Sequence, residues 1–274
     1  MRTVLLSLMV VVFSTSFSIS AFSQSEQKIS SNSFEKKNPW EFSSEPNLKN
    51  ATQVRQIIPD IYQTAKVDLG ALKSILAKAP QRFSAAATNE STILTLPMPD
   101  GGFENFKIYE TAMMHPELAA KFPEITTYVG QGIDDPTASI YLDLSHKGFN
   151  AKIRSSLYGV VYINPYAQGN NIDHTIYYRK DLPENTETLT CGVDTDPVAV
   201  KSEHQHSSSS RMVAGDCQLR TIRLAVATTG EYAQFHDGTV AGAMAAVVTA
   251  VNQLNSLYEL EVAATFELVA NNDQ

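Results

Sequence analysis

Six histidines and two cysteines are the residues best suited to hold a metal or act as nucleophile and base, and their spacing decides what chemistry is open to them. A zinc site of the His-Glu-x-x-His kind needs histidines at i and i+4. That spacing puts both imidazoles on one helical face, with the glutamate beside the metal-bound water. The residues four positions after His115, His146, His174, His204, His206 and His236 are Ala119, Asn150, Tyr178, Ser208, Ser210 and Val240, so no such pair exists. His115-Pro116-Glu117 has the wrong spacing and reads as a helix start. His204 and His206 lie next to four serines, where solvated polar residues are a better reading than a shared metal. His236 reads as an exposed turn residue. The chain has no Gly-x-Ser-x-Gly elbow, phosphate-binding loop or dinucleotide fingerprint, and Gly230-Glu231-Tyr232, which follows a strand pattern, reads as a turn.

Cys191 is the sharpest chemical feature. Gly192 follows it, and glycine lets a backbone approach another surface closely. Three readings stand side by side. A thiolate here is a strong zinc ligand that can fill an open coordination position from an exposed loop. A disulfide to Cys217, the other cysteine, is the default in an exported protein. A catalytic thiol is the poorest of the three, because no motif places a histidine beside it.

The elements that must position these groups fall into blocks. Residues 1–23 read as a secretory signal peptide: Arg2 supplies the positive start, Val4 to Phe13 the apolar stretch, and Ala21-Phe22-Ser23 the cleavage signal, with the cut after Ser23. The apolar stretch is too short to span a bilayer, and no later segment reads as long or apolar enough to do so. Residues 24–50, rich in Ser, Asn, Lys and Glu, read as a disordered linker in which Trp40 and Phe42 are available to dock on the next domain. The composition, 43% hydrophobic and 18% charged, suits a globular protein, and the net charge of −8 without any basic run argues against nucleic acid as a partner.

Residues 51–182 read as a β-rich, antiparallel, sandwich-like domain. Asp68 caps a helix reaching Ala79, with Leu69, Leu72, Ile75, Leu76 and Ala79 on one face and Pro80 as the stop. Period-two patterns mark strands at Thr92–Leu96, Phe106–Glu110, Ala138–Leu144, Phe149–Arg154, Tyr158–Ile163 and Thr175–Arg179, with turns at 99–102 and 168–171 and a short helix over Met113–Phe122 between strands. Residues 183–216 form a polar, exposed connector that contains Cys191. Residues 217–274 read as strand (Thr221–Ala227), helix (Thr239–Tyr258) and strand (Ala264–Val269), a β-α-β unit whose strands are expected to be parallel. A unit this small does not bury both faces of a parallel sheet, so the expectation is a domain cut short at Gln274. The fold class is α+β.

Leu219 to Tyr232 resembles the opening strand of the reprolysin-like (adamalysin-type, metzincin) zinc metallopeptidases secreted by bacteria. Thr239-Val240-Ala241 through Asn255, Tyr258-Glu259 and Thr265 to Asn272 resemble their first helix and second strand. Thr190-Cys191-Gly192-Val193 resembles their cysteine-switch motif, although Glu187, Thr188 and Leu189 stand where that motif often has a basic residue and a proline. The resemblance implies the precursor of a secreted zinc metalloendopeptidase. Its propeptide would bind its own catalytic domain, its substrate would be a peptide or protein, and Cys191 would ligate Zn²⁺. In that family a Zn²⁺-bound water with a Glu base attacks the scissile carbonyl. The His-Glu-x-x-His-x-x-Gly-x-x-His helix of the family would lie beyond Gln274, so this chain alone is expected to be inactive and no catalytic residue is assigned. Cys217 would then pair with a later cysteine, and activation would be a cut near Arg211. The alternative is a secreted, non-enzymatic β-sandwich binding or inhibitor protein.

Overall fold

A computed structural model describes residues 38–48, 54–184 and 218–274. Among the described residues, nine strands form one antiparallel sheet. They are β1 (Trp40–Phe42), β2 (Gln63–Val67), β3 (Thr92–Pro97), β4 (Phe103–Thr111), β5 (Thr126–Gly132), β6 (Ser139–Ser145), β7 (Gly148–Ser155), β8 (Gly159–Pro165) and β9 (Asp173–Tyr178). The order β1-β2-β9-β8-β7-β6-β5-β4-β3 makes β3 to β9 a meander, with β2 and β1 added beyond β9. The sandwich-like packing expected from the sequence takes the form of a single sheet that curls nearly closed. Its two ends come together where the rings of Phe42 and Phe103 lie 5.0 Å apart.

Helix α1 (Leu69–Leu76) fills the inside of the curl. The Asp68 carboxylate accepts from the Ala71 N–H at 3.0 Å, and Leu72, Ile75 and Leu76 are buried with Trp40, Leu94, Phe106, Ile140 and Phe149. The helix ends one turn before Ala79 because a residue preceding proline is disfavoured in the α region. Trp40 and Phe42, read as linker from composition, instead form β1, with Trp40 3% exposed in the core. His174 packs edge-on against Trp40, with ring centroids 5.0 Å apart, and its Nδ1 lies 3.1 Å from the Ile172 carbonyl. Burial pushes its imidazole down to about 4, so it is a neutral core residue.

The C-terminal unit consists of β10 (Arg220–Leu224), α4 (Gly230–Phe235), α5 (Val240–Val262) and β11 (Ala264–Leu268). β10 and β11 pair in parallel from Arg220↔Ala264 to Leu224↔Leu268, as a β-α-β crossover requires. The segment read as a turn at Gly230–Tyr232 is the first part of α4. Thr229 starts it by accepting from the Tyr232 N–H at 3.3 Å. By length and composition alone α5 is apolar enough to cross a membrane, contrary to the reading from sequence. Its apolar character has another cause, since it is packed between β11 and the large sheet. The described residues all lie within one compact unit, Asn38–Gln274.

Gly242 sits where α4 runs into α5. A Cβ there would lie 2.0 Å from the His236 carbonyl oxygen. Gly242→Ala is therefore expected to destabilise the protein by roughly 1–3 kcal/mol by forcing the α4–α5 corner apart. Urea unfolding measures this, and an unchanged midpoint would contradict the close approach.

Candidate functional site: the seam between sheet and C-terminal unit

β6 shows how the two parts meet. An antiparallel strand with one wet face alternates buried and exposed residues. Here every residue from Ile140 to Ser145 is buried. Ile140, Leu142 and Leu144 face the core inside the curl, and α5 covers the other face, which carries Tyr141 and Asp143. β7 extends the same face, because Lys152 lies opposite Tyr141 and Asn150 opposite Asp143.

Polar groups line the middle of this seam. The Asp143 carboxylate accepts from the Thr249 hydroxyl at 2.7 Å and from the Asn150 side-chain amide at 3.1 Å. Burial pushes its carboxyl up to about 6, against the hydrogen bonds from Thr249, Asn150 and Asn252. Further along, Lys152 Nζ donates to the Gln253 carbonyl and Arg154 to the Ser256 carbonyl, each at 3.3 Å. The Glu259 carboxylate accepts from Arg82 and from the Tyr141 hydroxyl, both at 2.8 Å. Burial first, and then the Glu259 charge, hold the Tyr141 hydroxyl far above the usual phenol range, so it stays a neutral donor. At the other end of α5, Lys147 reaches Asp237 at 2.9 Å and lowers that carboxyl below its ordinary range.

An apolar cluster completes the contact. Met113, Met114, Leu118, Phe122 and Ile125, from the stretch between β4 and β5, pack with Met244, Val247, Val248 and Val251 of α5 and Leu268 of β11. Helix α3 (Pro116–Ala119) is shorter than the expected Met113–Phe122 because Pro116 opens it. His115 caps it, its Nδ1 accepting from the Glu117 N–H at 3.3 Å. The residues before Pro116 are extended. His115 N–H donates to the Leu268 carbonyl at 2.9 Å, and Leu268 N–H donates to the Met113 carbonyl at 2.8 Å. Met114 and Leu268 thus form a parallel bridge on the edge of β11 opposite β10.

The seam is a packing interface within the chain. His146 Nε2 lies 3.9 Å from Asp237 Oδ2 near His236, but among the described residues no three His, Cys, Asp or Glu side chains are grouped to hold a metal. The described residues therefore do not fit a zinc site. Cys191, Cys217, His204 and His206 lie outside the described residues. The helical spacing of Val240, Met244, Val247, Val248, Val251, Leu254, Leu257 and Tyr258 predicts one buried stripe on α5, and only part of it is buried. Met244, Val247, Val248 and Val251 are buried, whereas Val240, Leu254, Leu257 and Tyr258 are at least 39% exposed and Asn252, Asn255 and Ser256 are buried. Asn255 is bound at both ends of its amide: the side chain accepts from the Phe266 N–H at 2.8 Å and donates to the Phe266 carbonyl at 3.1 Å.

Residues 218–274 match a family described as metallo-peptidase family M12B, reprolysin-like. This strand–helix–strand segment is thus similar to the reprolysin-like metallopeptidases over its whole length. No curated protein matches the chain.

Proposed function

We propose that the chain is the leading part of a secreted zinc metalloendopeptidase precursor that acts on peptides or proteins. Residues 1–23 direct export and are removed after Ser23. Residues 51–182 are the propeptide, and residues 217–274 begin the peptidase domain. The observation that carries this reading is that the family match over 218–274 falls on the unit covered by the antiparallel sheet. No His-Glu-x-x-His occurs in the chain, so on this reading the zinc ligands of the peptidase come from polypeptide outside these residues. Cys191, in the 183–216 connector, supplies a thiolate to that zinc in the resting precursor.

Purification of the intact exported precursor, with zinc measured by mass spectrometry, tests this. We expect one zinc per molecule and a Cys191 thiol that reacts with maleimide only after chelation. A zinc-free precursor would contradict the peptidase reading. A Cys191–Cys217 disulfide would contradict the thiolate assignment.

A further inference from the structure

We infer that Met113–Phe122, an edge donated by Met113–His115 and continued by helix α3 with its buried Leu118, keeps the reprolysin-like unit bound to the antiparallel sheet after the connecting chain is cut, so that cleavage between 185 and 217 leaves a non-covalent complex. This rests on the proposed function only in naming the two pieces as propeptide and peptidase. β11 has two edges: β10 pairs with one, and Met113–His115 occupies the other through the two backbone hydrogen bonds to Leu268. Strand addition of this kind satisfies backbone groups that an open edge leaves unpaired, and neighbouring side chains supply the specificity. Leu118 and Leu268 are fully buried, and Met113, Met114, Phe122 and Ile125 are each under 10% exposed. Roughly half of the cluster around α5 therefore comes from outside residues 218–274. Lys121–Asp273 at 2.8 Å clamps the same segment to the end of β11. Every one of these contacts crosses between the pieces without using residues 185–217. A cut in the connector removes the tether and leaves the grip.

The test places a site-specific protease sequence between residues 203 and 211 of the full protein, cuts it in the presence of a reductant so that no Cys191–Cys217 disulfide links the pieces, and follows them by size-exclusion chromatography at micromolar concentration. The pieces are expected to co-elute. His115→Pro removes one bridging N–H at a residue whose φ of −51° and ψ of 143° suit proline. It is expected to weaken the cut complex on the order of tenfold while the uncut protein stays folded. Leu118→Asp is expected to separate the pieces completely, with the circular dichroism of the uncut protein showing whether the sheet survives. Separation of the unmodified pieces on cutting, or an unchanged dissociation constant in folded His115→Pro, would overturn the inference. Neither readout needs zinc or peptide hydrolysis, so an inactive peptidase would defeat the functional reading and leave this one standing.

Discussion

Arg82→Ala is expected to lower the stability of the protein by about 3 kcal/mol in urea unfolding. Its partner Glu259 has a side chain only 7% exposed, and that of Arg82 is 25% exposed. Removing the guanidinium leaves a buried carboxylate with the Tyr141 hydroxyl as its remaining donor. Breaking a buried pair from one side costs about 3–5 kcal/mol, because the surviving charge is stranded. The partial exposure of Arg82 puts this site at the low end of that range. The double variant Arg82→Ala/Glu259→Gln should recover much of the loss, since a neutral amide tolerates the same site. If Arg82→Ala alone leaves the urea midpoint unchanged, the pair does not hold the seam.

Asp143→Asn is expected to change how stability depends on pH. Below about pH 4, Asp143 is neutral in both folded and unfolded chains. Between pH 4 and its folded value of about 6, the unfolded chain loses the proton while the folded chain keeps it, so stability falls as pH rises. Above pH 6 the full penalty, about 3 kcal/mol, applies. His174 works in the opposite sense. Its folded value is about 4 against an ordinary 6.5, so stability falls as pH drops through that window. In the natural protein these two slopes oppose one another between about pH 4 and 6. Asp143→Asn removes one slope and leaves the other. Relative to the natural protein it should gain about 3 kcal/mol between pH 4 and pH 8, on top of a pH-independent loss of about 1–2 kcal/mol for the new amide N–H without an acceptor. Denaturant unfolding at both pH values measures this. A difference between the two proteins that does not change with pH would show that Asp143 is not a buried carboxyl.

Particular residues explain how far the sequence could be read. Asp68, Pro80 and the apolar spacing between them mark the inner helix, because a cap and a stop are local signals. β5 was hidden by Gly130 and Gly132, which look like turn residues. They are glycine because a Cβ would meet the Lys107 carbonyl oxygen at 2.5 Å and that of Asp135 at 2.2 Å, a constraint set by the packing of the folded chain. The seam was hidden in the same way. Tyr141 and Asp143 fit the pattern of a wet face, and only the arrival of α5 buries them. The first half of α5 held one clue: the run Val240–Val251 is apolar or small on nearly all sides, as befits a helix covered on two faces. The Met113–His115 bridge had no local signature, since a single parallel bridge depends on where β11 comes to lie.

On the proposed function, the sheet restrains a peptidase that begins at the C-terminal unit. The most direct test is peptide hydrolysis by the intact precursor before and after a single cut within 185–217 followed by removal of the sheet piece. Silence is expected before, hydrolysis after, and loss of that hydrolysis with a zinc chelator. Equal hydrolysis by the uncut precursor, or none from the freed unit supplied with zinc, would contradict it.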